Sequence, residues 1–219
     1  MNPIMEFENR LPESALAVFR GLKTPADIQA YLESLPYRAE ELDRSPLRVM
    51  TDGQCHCRDG GLFAAVALWK IGFPPLLIDL VPDPGKDDDH VLALYRMDGL
   101  WGAVAKSNYP NLRFREPVYR SLRELAMSYF EHFYNLERCK TLRGYTRPFR
   151  LDGIQDISWM WDEGAVRKVT KRFYSRRAIP LITPESVARL SIADERSYTS
   201  GTYGTDFNWT FGSREDSTH

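Results

Sequence analysis

Cys57 and His90 are the two residues whose types and spacing could do chemistry together. Cys57 ends the turn Thr51-Asp52-Gly53-Gln54-Cys55-His56-Cys57, which runs through Arg58-Asp59-Gly60-Gly61 into an apolar, Ala-rich stretch closed by Gly72. The pattern predicts a helix from about Arg58 to Ile71, with Leu62, Val66 and Trp69 on an inward stripe. A cysteine at a helix start faces unpaired backbone N–H groups and the positive end of the dipole, and both favour the thiolate. His90 opens an apolar run to Met97 that reads as a strand. A thiol on a helix start and an imidazole on a neighbouring strand suit acyl chemistry. Cys57 would attack a carbonyl, His90 would manage the proton, and the Cys57 N–H with Gln54 would hold the oxyanion.

Each of these residues has a plainer reading. Most cysteines are packing residues, and Cys55 competes with Cys57 for the role. A lone histidine on an apolar strand is more often structural than catalytic. The run Asp87-Asp88-Asp89 reads first as a solvated loop, although it would favour an imidazolium at His90 if it lay close. A third group should orient the imidazole. The strand Leu100–Lys106 carries no carboxylate, so Ser107 and Asn108 are the neutral candidates. Cys55-His56-Cys57 with His90 could offer ligands to zinc, but Cys-x-Cys is an unusual spacing and no second pair exists. No metal site or cofactor is therefore expected. Arg167, Lys168, Lys171, Arg172, Arg176 and Arg177 form a basic run. Without a nucleic-acid module beside it, that run reads as a solvated helix face.

Elements must position these groups. Thr24-Pro25-Ala26-Asp27 reads as N-cap, N1 proline and acidic N3 of a helix ending before Pro36. Leu76–Val81 reads as a strand, and Asp98-Gly99 as the turn of a hairpin between His90–Met97 and Leu100–Ala105. Leu112–Phe114 reads as a short strand. Pro117–Asn135 reads as one long helix with Val118, Leu122, Leu125, Tyr129 and Phe133 inward. Ile154–Trp161 is aromatic enough to cover a core. Residues 165–175 read as a basic helix, Thr183-Pro184-Glu185 as the start of a short one, and the chain beyond Ser191 as disordered or an extended arm.

With 219 residues, 43% of them hydrophobic, the chain can bury a sizeable core. Its formal net charge of −1 gives no overall pull toward nucleic acid or an anionic membrane. No apolar run approaches the roughly 20 residues of a membrane span, and the first residues lack a signal-peptide pattern. Three cysteines make no disulfide framework, so a cytoplasmic location is expected. The oligomeric state is not readable.

Residues 57–108 resemble the core of the transglutaminase-like superfamily, within the papain-like cysteine proteinase fold. Cys57-Arg58-Asp59 leads after a helix to Gly72-Phe73-Pro74, and His90–Trp101 resembles the His-bearing hairpin. The resemblance implies Cys57 as nucleophile in preference to Cys55, His90 as base, and Trp101 beside the substrate. It also implies an Asp four residues after that Trp, where this chain has Ala105. Ser107 or Asn108 then substitutes, or the site is impaired. The stretch from Cys57 to Pro148 also looks like a group of uncharacterised bacterial transglutaminase-like proteins. The expectation is an α+β fold, with a Cys-bearing helix packed on an antiparallel sheet and helices flanking it. Residues 1–50 would be a helical segment of the same domain, 51–150 the core, and 151–219 a partly irregular extension. The expected function is a thiol peptidase, amidase or acyltransferase acting on a peptide or small amide. The alternative is an impaired relative that binds a peptide or protein partner.

Overall fold

The computed structural model describes residues 2–212. Four helices lead in: α1 (Pro3–Glu8), α2 (Glu13–Gly21), α3 (Pro25–Ser34) and α4 (Pro46–Asp52). The start of α3 is the capping box read from Thr24-Pro25-Ala26-Asp27. Gly53, at φ 63°, ends α4 in the left-handed region, and a short turn then starts α5 (Cys57–Lys70). Helix α5 is buried on all sides from Asp59 to Leu68 rather than along one stripe. It is the central helix, covered by the sheet on one side and by the leading helices on the other.

Strands β1 (Leu76–Pro82), β2 (His90–Met97), β3 (Leu100–Val104) and β4 (Arg115–Tyr119) follow. The hairpin between β2 and β3 turns at Asp98 and Gly99 with φ of 49° and 81°, as an Asp-Gly turn of this type requires. Helix α6 (Leu122–Met127) comes next, then β5 (Leu142–Thr146), β6 (Phe149–Arg150), α7 (Glu163–Tyr174), β7 (Ala178–Pro180), α8 (Pro184–Val187) and α9 (Glu195–Gly201). The seven strands form one antiparallel sheet in the order β4-β3-β2-β1-β5-β7, with β6 also pairing β1. The architecture is α+β, with the Cys-bearing helix packed on an antiparallel sheet and helices around it.

The sheet is buried on both faces. Leu77, Val91, Ala93, Tyr95 and Val104 meet α5. Ile78, Leu80, Leu92, Leu94, Ala103 and Ala105 meet Leu125, Ala126, Tyr129 and Phe133 on the other side. Gly60 and Gly61 let α5 lie close: a Cβ on Gly60 would stand 2.5 Å from Lys106 Cβ, and one on Gly61 2.7 Å from Val91 Cγ1.

Three local expectations are corrected. The expected helix Pro117–Asn135 is split. Its first residues belong to β4 with Val118 exposed, α6 is short, and Phe130–His132 is a 3₁₀ turn. Ser121 caps α6 through Glu124 N–H, so the helix cannot start at Pro117. The strand expected at Leu112–Phe114 gives way to a 3₁₀ turn over Pro110–Leu112. Beyond Ser191 the chain is ordered as far as it is described: Asp194 caps α9, and Thr205 and Asp206 bond Asn108. The expectation for residues 213–219 lies outside the described residues.

Candidate functional site

Cys57 is the first residue of α5, as the sequence indicates. His56 caps the helix, its Nδ1 accepting the Arg58 N–H at 3.2 Å. The turn is anchored from below. Asp59 is fully buried and accepts the Arg44 N–H at 3.3 Å, while the Arg44 guanidinium, 2% exposed, also reaches Asp52 at 3.2 Å. Burial pushes the Asp59 carboxyl up to about 7 against the pull of Arg58 and Arg44. This buried cluster ties the start of α5 to α4 and the segment before it.

The expected Cys57–His90 dyad is not assembled. In β2, Val91, Ala93 and Tyr95 point at α5, so His90, Leu92 and Leu94 point away from it. The His90 Nε2–H donates to the Leu112 carbonyl at 2.6 Å, and its ring lies edge-on to Tyr129 at 6.3 Å. Burial draws the imidazole down to about 4, with Leu112 opposing, so His90 is neutral. The aspartates before it do not make it an imidazolium. We expect His90→Ala to leave the alkylation rate of Cys57 within about twofold of the parent. The same change should cost about 2–4 kcal/mol of stability through the cavity and the orphaned carbonyl. Denaturant melts and a rate assay on one preparation would check both, and a large loss of thiol reactivity would restore the dyad.

The other sequence-selected residues are also occupied elsewhere. Ser107 Oγ accepts the Tyr109 N–H at 3.0 Å. Asn108 bonds both backbone groups of Asp206, donating to O at 2.8 Å and accepting from N at 3.0 Å. Trp101 packs with the face that α6 covers, under the Arg96 guanidinium at 5.2 Å. Gln54 is half-buried in the turn before α5. Lys106, next to the expected Asp position, turns to the α5 side and donates to the Leu32 carbonyl at 2.8 Å. Cys55 is a core residue whose thiol burial raises to about 12.

What meets Cys57 instead is a backbone carbonyl and a different histidine. Its S–H donates to the Asp89 carbonyl at 3.8 Å, and His56 Nδ1 stands 3.9 Å from the sulfur. Burial, then the charges of Asp89 and Asp88, push the Cys57 thiol well above its ordinary value. The helix dipole contributes about 0.3–1 kcal/mol, less than one pKa unit, whereas burial moves a group by up to roughly 3–5 units. Burial therefore works against the thiolate that the helix start favours. Asp89 lies against Asp79 of β1. Burial and then Asp89 lift Asp79 to about 9, and burial raises Asp89 as well, so the pair holds a proton. The Tyr174 hydroxyl, from the end of α7, donates to Asp89 Oδ2 at 2.8 Å. Asp87, expected in a solvated loop, accepts the Thr141 hydroxyl at 2.6 Å, and burial raises it to about 6.

Above the thiol is a recess of about 320 Å³ whose walls include Glu40, Glu41, Asp43, Asp88 and Asp89, with Arg58 and His56 as the basic groups. Arg58 donates to Asp43 at 2.8 Å. Sequence reasoning missed Asp79, Tyr174 and the pair with Asp89. The one available signal was Asp79 itself, a lone carboxylate inside the apolar run Leu76–Val81. Among the described residues, no cluster of three or more His, Cys, Asp or Glu side chains could hold a metal ion. Among the same residues, no helix is long and apolar enough to cross a membrane.

Fold and site define an α+β protein in which a cysteine opens a buried helix laid on an antiparallel sheet, beside a carboxyl pair. No protein-family model matches the chain, and no curated protein does. Among solved structures it is similar to Legionella pneumophila LapG, at 12% identity and a TM-score of 0.35, over 48% of this chain and 68% of that one. The EGTA-treated form of LapG gives 9% identity and a TM-score of 0.40, over 72% of this chain and 93% of that one. At these values no activity follows from the likeness.

Proposed function

We propose that this is a transglutaminase-like core used as a binding module, whose recess above Cys57 receives a basic side chain of a peptide or protein partner. One observation carries the reading: Glu40, Glu41, Asp43, Asp88 and Asp89 line the recess above the sulfur, while His90, the base expected there, faces away from it. A protonated thiol is a poor nucleophile. The acidic walls of the recess favour a cationic group, and Glu41, on an exposed rim, offers its charge to a ligand.

The test is alkylation by iodoacetamide in a Cys139→Ser background, since Cys139 is exposed and Cys55 is buried. Cys57 should react more slowly than free cysteine at about pH 7, with a rate rising about tenfold per pH unit. A fast rate that stays flat down to about pH 6 would defeat the binding reading. In the same preparation, a lysine-rich fluorescent peptide should bind and lose at least about tenfold in affinity with Glu41→Lys, a change of roughly 1.4 kcal/mol or more. A second reading has one observation in its favour, the 3.9 Å approach of His56 Nδ1 to the sulfur. If His56 serves the thiol, His56→Ala slows alkylation markedly. On the binding reading it does not.

A further inference from the structure

A second recess, of about 680 Å³, lies past the far end of α7 and is lined by Arg147, Arg172, Arg176 and Arg177 with Ser175 and strand β7. The arginines come from separate segments: Arg147 from the link between β5 and β6, Arg172 from the last turn of α7, and Arg176 and Arg177 from the link into β7. The negative end of a helix attracts cations. That accounts for Arg172, but not for Arg147, which reaches the same recess from the sheet. Among the described residues, none of these four guanidinium groups meets a carboxylate. Elsewhere Arg44, Arg58, Arg113, Arg143, Arg150 and Arg167 all do. Arg172 and Arg176 lie over the Phe149 ring, at 5.9 and 5.5 Å from its centroid. The ring steadies both forks. A chain with a net charge of −1 thus gathers four unneutralised positive charges around one concavity.

We propose that this groove binds a small molecule carrying several phosphate groups. Guanidinium forks match phosphate oxygens in pairs. Several such forks around one space suit a ligand of several negative charges, and the volume lies within the usual range for small ligands, about 300–1,000 Å³. Ala178, Ile179 and Pro180 give the groove an apolar wall for the rest of the molecule. Single-stranded nucleic acid fits less well, because sequence-tolerant binding of a strand uses exposed rings on which bases stack. The ring here, Phe149, is buried and lies beneath two of the arginines.

The test is calorimetric titration of the full chain with inorganic tripolyphosphate. We expect saturable binding of one ligand per chain, weakened at least about tenfold by Arg147→Ala and, separately, by Arg177→Ala. Both side chains are exposed, so neither variant should melt differently. Arg150→Ala, whose guanidinium already rests on Asp152 at 2.5 Å, should bind as the parent does. Absence of saturable binding, or an equal loss in Arg150→Ala, would overturn the site. Orthophosphate binding as tightly as tripolyphosphate would overturn the requirement for several phosphates. A short single-stranded RNA that binds more tightly through the same arginines would overturn the ligand class.

Discussion

Asp79→Asn is expected to melt higher than the parent at about pH 8.5, by roughly 4–8 °C, and the gap should close toward about pH 5. The effect follows from a proton held in the fold. Asp79 is raised from 3.8 to about 9 by burial and by Asp89 beside it. Between those values the folded chain binds a proton that the unfolded chain has released. Its contribution is complete below about pH 4 and is lost as the pH climbs through about 9. Each pKa unit of displacement is worth about 1.4 kcal/mol. Because Asp89 shares the proton, the gain at alkaline pH is on the order of 2 kcal/mol, and about 2–4 °C per kcal/mol is usual at this size. Asparagine is neutral throughout, so it removes the dependence. His90 acts in the opposite direction and elsewhere on the scale. Its neutral buried ring, drawn down to about 4, contributes stability that is lost as the pH falls below about 6.5. Melting parent and variant together from about pH 7 to 9 isolates Asp79. A difference that is flat or shrinks with rising pH would show that the carboxyl pair holds no proton.

The second large effect is expected at Gly60. Alanine there would gain about 1 kcal/mol in helix propensity. Its Cβ would also stand 2.5 Å from Lys106 Cβ, an atom fixed to the backbone of the chain leaving β3. Lys106 has little room to withdraw, because its amine is tied to the Leu32 and Leu35 carbonyls beneath α3. Overpacking typically costs about 1–3 kcal/mol, so Gly60→Ala should lose on the order of 1 kcal/mol net. Gly60→Val, bulkier and β-branched, should lose about 3 kcal/mol or more. Gly21, at the end of α2, has nothing within 4 Å of where a Cβ would stand, and Gly21→Ala should be neutral or slightly stabilising. Urea melts of the three variants would decide. Equal behaviour of Gly60→Val and Gly21→Ala would mean that α5 does not press on the sheet as described. The prediction bears on the site, because Gly60 lies in the first turn of α5, three residues after Cys57.

Much of this protein is legible in the chain, because it rests on local chemistry. Thr24-Pro25-Ala26-Asp27 satisfies helix N–H groups from within its own four residues. Asp98-Gly99 accepts positive φ and so fixes the β2–β3 hairpin. The glycine- and cysteine-rich turn before an Ala-rich stretch places Cys57 at a helix start. Those features determine an antiparallel hairpin, a central helix and a cysteine at its head. The helix expected at Pro117–Asn135 shows where local reading stops. Its apolar spacing was helical, but β3 needed an edge partner, and Arg115–Tyr119 provided it.

The side of the sheet that His90 faces was not in the sequence. Val91-Leu92-Ala93-Leu94-Tyr95 is apolar at every position, because β2 is buried on both faces. Such a run carries no alternation from which inside and outside can be told. Strand residues alternate faces, so a shift of one position exchanges His90 for Asp89 over the thiol. Only the tertiary packing, with Val91 against Gly61, chose between them. The sequence by itself determined that a cysteine opens the central helix. The tertiary structure decided that His90 turns to the other face of the sheet, leaving the Asp89 carbonyl and the His56 ring beside the sulfur.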